Sequence, residues 1–435
     1  MKSELVSITI GSEGREADPA RKAVVFKDYI RGAFPDAVVG KVVPISTPAS
    51  LNSVCAYVDI AFKRGENIPA FAKVHVESDT KSPIALGAED EYSQANLLTE
   101  NGWPVLVPLA VSDSKDYPLL IYPRVEAKTL FDLFEESYNQ ERNLVPSDGM
   151  DLLAGLNEQV GDAMVKSARL VDSKEAIKSP IQTLFAERLK RTGRIGSWYK
   201  PNTRFVLTEA GDTMNWQDLL NIKWVINGNS YDLTLSKIIE NARRYLSFDK
   251  EQKTLMCVSH GDDHAGNIFM DEKAGKAIIF DPAFAGWNPA ILSNVKALAH
   301  NCILPMGGMY YDPKIGRVSY SKSENAIYVN IPFNNSVLYK LHETLGKQII
   351  DVRILPLFQK SKQEGINIKS EYERIKYALA ACALLTINIA QLLKQNDGRG
   401  QGLLPLTIML SELKGLPILE YLKRRLTQEL ESSFS

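Results

Sequence analysis

The stretch V-S-H-G-D-D-H-A-G-N-I-F-M-D, Val258–Asp271, sets two histidines and two aspartates within five residues, then Gly266 and Asn267, then a short apolar run. Polar side chains this dense beside a strand-type segment admit three readings. They are a turn, with Asp262 and Asp263 as caps and Asn267 as a left-handed residue after Gly266. They are metal ligands of a hydrolase. Or they are a loop that orients and deprotonates a substrate. The metal reading lacks an H-E-x-x-H pattern, and Gly261 and Gly266 disfavour the continuous helix that would pair His260 with His264.

Spacing separates the readings further. His260, Asp262 and Asn267 follow H-x-D-x-x-x-x-N, and Asp281 ends the apolar run K-A-I-I-F fourteen residues after Asn267. This is the layout of a phosphoryl-transfer loop, in which the protein positions groups and balances charge more than it makes bonds. Asp262 is the candidate base for an acceptor hydroxyl. His260 stands beside it as a second catalytic candidate, though bracing the loop suits it better, and His264 either contacts phosphate or braces the loop. Asn267 and Asp281 offer the hard oxygen donors that Mg²⁺ prefers.

Such chemistry also needs a strand lysine for the α- and β-phosphates and a helix glutamate to hold it. Lys73 sits alone in the β-rich run A-F-A-K-V-H-V, and Glu91 lies in G-A-E-D-E-Y-S-Q-A-N-L-L-T-E-N-G, a helix closed by Gly102. Glu89 shares that helix, and the distance to Gly102 favours Glu91. Upstream, Asp18 and Pro19 open a predicted helix that Pro35 ends. A-V-V-G-K-V-V-P-I, S-V-C-A-Y-V-D-I-A-F, P-V-L-V-P-L-A-V-S and P-L-L-I-Y-P-R-V read as strands. From K-T-L-F-D-L-F-E-E-S-Y onward helical patterns dominate, interrupted by A-I-I-F-D and by the hairpin-like G-R-V-S-Y-S-K-S-E-N-A-I-Y-V-N-I.

With these residues in place, H-G-D-D-H-A-G-N-I-F followed by A-I-I-F-D-P-A-F resembles the aminoglycoside phosphotransferase and choline kinase-like group, over roughly residues 20–300. The resemblance implies an α+β, two-lobed protein kinase-like fold: a small antiparallel-sheet lobe over 1–122, a hinge at 123–128, and a larger, mainly helical lobe over 129–435. It implies ATP and Mg²⁺, with Lys73 on the phosphates, Glu91 holding it, Asp262 as base, and Asn267 and Asp281 as metal ligands. T-P-A-S-L-N-S-V-C-A-Y-V resembles the nucleotide-covering turn, with Ser50 and Asn52 as its polar residues. L-L-I-Y-P-R-V-E-A-K-T-L resembles the hinge, where the Pro123 carbonyl and the Val125 N–H would pair with adenine; proline offers only the acceptor that the first position requires. There are departures. Ala127 stands where glycine is usual, and Ser293 and Asn294 stand where an acidic residue is usual.

The acceptor is expected to be a small molecule bearing a hydroxyl or an amine. A protein kinase proper is disfavoured, since D-P-A replaces D-F-G and no A-P-E appears. A non-catalytic nucleotide-binding module would be expected to have lost Lys73, Asp262, Asn267 or Asp281. Lys plus Arg (51) nearly balances Asp plus Glu (52), so no global field favours nucleic acid or an anionic membrane surface. L-K-R-T-G-R (Leu189–Arg194) and Y-L-K-R-R-L read as solvated basic faces. The four cysteines form no C-x-x-C pair, which fits a reducing, cytoplasmic setting, and no signal-peptide core opens the chain. Y-A-L-A-A-C-A-L-L-T-I-N-I-A-Q-L-L is apolar, but it carries Thr386, Asn388 and Gln391 and falls short of a ~20-residue span; a buried helix is expected. Pro201–Tyr231 reads as an insertion before the loop, and N-D-G-R-G-Q-G as a helix connection.

Overall fold

A computed structural model describes residues 19–45, 53–62, 65–75, 88–112, 114, 117–140, 147–208, 210–231, 233–248, 253–311, 318–331, 337–394, 399–412 and 417–430. Asp18, Ser50 and Asn52 lie outside the described residues. The chain divides into two compact units. The first comprises residues 1–100, 105–127 and 278–283, and the second holds the remainder.

The first unit is built on a sheet. Helix α1 (Pro19–Ala33) starts at its proline, whose missing N–H costs nothing at a helix start. Strands β1 (Ala37–Pro44), β2 (Ser53–Phe62) and β3 (Ile68–His75) follow, then helix α2 (Ala88–Glu100) and strands β4 (Ala110–Ser112) and β5 (Leu119–Pro123). The five strands form one sheet in the order β1-β2-β3-β5-β4, with antiparallel pairing throughout. Alternation sets its core: Val54, Ala56, Val58 and Ile60 of β2, with Ala70, Ala72 and Val74 of β3, bury against Phe26, Tyr29 and Ile30 of α1. Of P-V-L-V-P-L-A-V-S only Ala110–Ser112 is strand, because Pro104 and Pro108 cannot donate to a ladder. Val105 instead makes a parallel bridge with Ile279, and the Leu106 N–H donates to the Ile279 carbonyl at 2.7 Å. That pairing holds residues 278–283 in this unit.

The second unit is mainly helical, so a small antiparallel-sheet unit and a larger helical one together make the α+β class expected from the sequence. Its helices begin after a capping box, in which Thr129 Oγ1 accepts from Asp132 N–H and Asp132 Oδ2 accepts from Thr129 N–H. The polar loop emerges from strand Lys253–Ser259, which pairs antiparallel with Arg169–Asp172 on one side and Gly286–Pro289 on the other. It ends at strand Ile268–Asp271, which pairs with Lys128–Thr129. The apolar segment near residue 380 is the buried half of helix Ile368–Thr386. No described helix is long and apolar enough to cross a membrane.

Two features that the sequence left separate meet here. Strand Lys223–Ile226 pairs in parallel with Ala326–Val329 of the hairpin, giving a four-stranded sheet. Asn227 clasps the junction: its side-chain amide donates to the Ile331 carbonyl at 3.1 Å and its Oδ1 accepts from the Ile331 N–H at 2.8 Å. Trp224, 0% exposed, anchors that sheet. Trp224→Ala is expected to cost about 3–5 kcal/mol of stability in urea unfolding; a loss below about 1 kcal/mol would contradict this account of the sheet.

Candidate active site

The site residues fall into two sets, one in each unit. In the first unit, Lys73 stands in the middle of β3, its side chain 10% exposed. Its ammonium meets both Glu91 carboxylate oxygens at 2.9 Å and Asp281 Oδ1 at 2.6 Å. Glu91 lies on the first turns of α2, and its Oε1 also accepts the Tyr122 hydroxyl at 2.5 Å. The side chain of Glu89 lies outside the described residues. Burial alone would lower the lysine's pKa, but Asp281 and Glu91 more than reverse it, so Lys73 is held firmly protonated. Burial, and then Glu91, raise the Tyr122 hydroxyl in turn. Cys55, opposite Lys73 in the ladder, is pushed up to about 12 by burial and so is an inert thiol.

Asp281 adopts φ +59, a left-handed conformation that costs a non-glycine residue of order 1 kcal/mol. Its carbonyl accepts from the Ala283 N–H at 2.8 Å, closing the turn. Its side chain is 41% exposed, so beyond the lysine contact the carboxylate keeps an accessible oxygen face. Pro123 ends β5 opposite Ala70, and Val125 follows it; between them the Arg124 guanidinium packs over the Tyr57 ring at 4.5 Å.

In the second unit the loop is braced from every side. Gly261 adopts φ +73, and a Cβ there would lie 2.9 Å from the Phe284 carbonyl, so only glycine fits. His260 is fully buried and its Nδ1 accepts from the Asp262 N–H at 3.2 Å. His264 Nδ1 accepts from the Gly266 N–H at 3.1 Å, capping a short 3₁₀ turn. Asn267 donates to the Asp262 carbonyl at 2.9 Å, which leaves its amide oxygen as the group able to face a cation. Asn301 stitches the loop as well, accepting from Ala265 N–H at 2.6 Å and donating to the Asp263 carbonyl at 3.2 Å.

The two adjacent aspartates therefore differ. Asp263 is buried and ion-paired with Arg353, each side chain 2% exposed. Asp262 is ion-paired with Lys296 and lies 3.6 Å from His264 Nε2. Burial acts to raise the Asp262 carboxyl, but the charges of Lys296 and His264 outweigh it and hold the group below its ordinary range. The loop thus carries an ionised carboxylate.

Among the described residues, no group of three or more His, Cys, Asp or Glu is gathered to hold a metal. The physical reason is plain: His260 and His264 accept backbone N–H bonds, and Asp263 faces Arg353. These contacts commit His260, His264 and Asp263 to bracing the loop.

Lys296 had no motif to mark it; it lies fifteen residues beyond Asp281 in D-P-A-F-A-G-W-N-P-A-I-L-S-N-V-K. Ser293 makes a neutral brace, accepting from Ser259 Oγ at 2.8 Å and donating to the Pro289 carbonyl at 3.1 Å. The reading of L-K-R-T-G-R as a solvated face needs correction at Arg194. That residue is half-buried and donates to the Leu385 carbonyl at 2.7 Å, whereas Lys190 and Arg191 are exposed.

Two solved structures are similar in trace. A macrolide 2'-phosphotransferase type I shares 11% identity at a TM-score of 0.37, covering 90% of this chain and 97% of its own. An ethanolamine kinase from Plasmodium vivax shares 10% identity at a TM-score of 0.42, covering 89% and 85%. No protein-family model matches the chain, and no curated protein matches it.

Two measurements test the electrostatics. Removing one partner of the buried pair, as in Arg353→Leu, is expected to destabilise the protein by about 3–5 kcal/mol, because Asp263 is then buried without a counter-charge. Because the folded pKa of Asp262 is depressed, its stabilising contribution is complete above the ordinary value of 3.8 and is lost as pH falls through the folded value. The stability difference between wild type and Asp262→Asn should therefore be flat near neutrality and shrink in acid below 3.8; a difference that grows on acidification would reverse the assignment.

Proposed function

We propose that the protein is an ATP- and Mg²⁺-dependent phosphotransferase of the aminoglycoside phosphotransferase and choline kinase-like type, acting on a small molecule. The observation that carries this reading is the Lys73 ammonium shared between Glu91 and Asp281, residues that are 18 and 208 positions away in sequence. A structural lysine needs at most one counter-charge. A lysine that must offer positive charge to phosphate needs one partner to fix it and a second that a metal can take over.

Each residue then has a part. Lys73, oriented by Glu91, binds the α- and β-phosphates. The Pro123 carbonyl and the Val125 N–H take the adenine edge, and Ser50 and Asn52 belong to the turn that covers the phosphates. Asp281 and Asn267 are the Mg²⁺ donors; the ion, when bound, neutralises charge on the phosphate oxygens. Asp262 aligns the acceptor hydroxyl and receives its proton as the oxygen bonds to the γ-phosphorus and the bridging P–O bond to ADP breaks. The depressed pKa of Asp262 suits orientation more than strong proton abstraction, as expected for a loose transition state in which the hydroxyl loses its proton late. Lys296 holds that carboxylate ionised and in place. His260 acts as a brace of the loop.

Thermal unfolding with ATP, with and without Mg²⁺, tests the nucleotide site before any acceptor is known. At ~100 times the dissociation constant a ligand adds ~2.7 kcal/mol of stability, and the rise is expected to depend on Mg²⁺. Asp281→Asn should reduce it. Asp262→Asn should keep it while lowering turnover of an identified acceptor by about 10²–10⁴-fold. Near-normal turnover by Asp262→Asn would remove the base. The absence of any Mg²⁺-dependent rise would remove the nucleotide site.

A further inference from the structure

Helix Pro180–Leu189 and the short helix beginning at Arg194 bring two guanidiniums to one acceptor: Arg188 and Arg194 both donate to the Leu385 carbonyl, at 3.3 and 2.7 Å. Both are half-buried, and among the described residues neither makes an ion pair with a carboxylate. The local surroundings add positive charge. The Phe284 ring takes Lys296 at 4.9 Å on one approach and Arg188 at 5.8 Å on another, and Lys296 is the partner of Asp262. His264 lies beside His300, ring centroids 6.0 Å apart, but burial lowers His300 to about 3, so that ring is neutral and adds no charge. Three permanent cations thus stand against the single carboxylate of Asp262.

The bland account is that the two arginines cap the end of helix Ile368–Thr386, where Leu385 lies. A helix C-terminus carries only about half a negative charge, and one carbonyl satisfies one or two of the ten N–H donors available on two guanidiniums. Burial, and then the charge of Arg194, depress Arg188 to about 9 against an opposing pull from Asp262, so the compensation of this pair is incomplete. Partly desolvated charges that outnumber their counter-charges are costly unless an anion arrives.

We propose that Arg188 and Arg194 bind an anionic group of the acceptor, a carboxylate or a phosphate on a small hydroxyl compound whose free hydroxyl is presented to Asp262. This rests on the phosphotransferase reading above and narrows its substrate class. A quaternary or primary ammonium acceptor is disfavoured, because Lys296 and both arginines would repel it. The nearby aromatic residues Phe131, Tyr138, Tyr310 and Tyr311 pack edge-on, tilted or stacked against one another, so they form a mutual cluster in place of a box around a cation.

The test is calorimetric titration, in Mg²⁺ and a saturating non-hydrolysable ATP analogue, with glycerol 3-phosphate, glycerate, uncharged glycerol and choline as probes. The analogue occupies the proposed nucleotide site, so a probe anion cannot report on Lys73. Saturable binding of an anionic probe, absent for glycerol and weakened at least tenfold in Arg188→Gln and in Arg194→Gln, supports the proposal. Which anion binds distinguishes phosphate from carboxylate, and Arg188→Lys should recover part of the affinity. Melting temperatures with and without the analogue are read in parallel, and Arg194→Gln serves if Arg188→Gln does not fold. No anion binding, unchanged affinity in both variants, or preferential binding of choline overturns the proposal while the analogue still raises the melting temperature, leaving the phosphotransferase reading intact. If the analogue produces no rise in wild type, that reading fails and the acceptor assignment falls with it.

Discussion

A buried ammonium with two carboxylates on it constrains the whole first unit. Lys73 could not be taken out of water alone, so Glu91 must face it from α2 and Asp281 from the segment at 278–283. Glu91 is fixed in turn by the Tyr122 hydroxyl from β5. One charge therefore ties a central strand, its neighbour, the helix and a distant turn. The left-handed backbone of Asp281 is part of the same requirement, since it aims that carboxylate at the lysine.

The second unit solves the related problem of keeping a carboxylate ready in a buried loop. Its answer is to divide two neighbouring aspartates between different partners. Asp263 is committed to Arg353, deep in the helical core, and anchors the loop. Asp262 is left with Lys296 and the edge of His264, ionised and 12% exposed. Backbone N–H bonds to His260 and His264, together with the fit of Gly261 beneath the Phe284 carbonyl, fix the loop's path, so that the carboxylate does not have to.

Local pattern carried much of this to the surface of the sequence. The period-two strands around Lys73, the Gly102 stop after α2 and the H-x-D-x-x-x-x-N spacing are short-range signals, and short-range signals can be read without a structure. Lys296, Arg188 and Arg194 were not legible in the same way. Their roles come from contacts across the helical unit, such as Arg188 with Leu385, 197 positions away, and a lone arginine on an amphipathic helix looks the same whether it faces water or a carbonyl. The parallel pairing of Lys223–Ile226 with Ala326–Val329 was hidden for the same reason, each strand being too short to specify a partner.

Chain order gives the Lys73–Asp281 contact a consequence during synthesis. The lysine leaves the ribosome 208 residues before the aspartate that completes its coordination, a delay of roughly 10–40 s at about 5–20 residues per second. Through that interval the nascent sheet has strands β1 to β5 and α2 but not the 278–283 turn, so Glu91 alone must neutralise the ammonium. The first unit is thus N-terminal in sequence, yet it is completed only after about half of the helical unit has been translated.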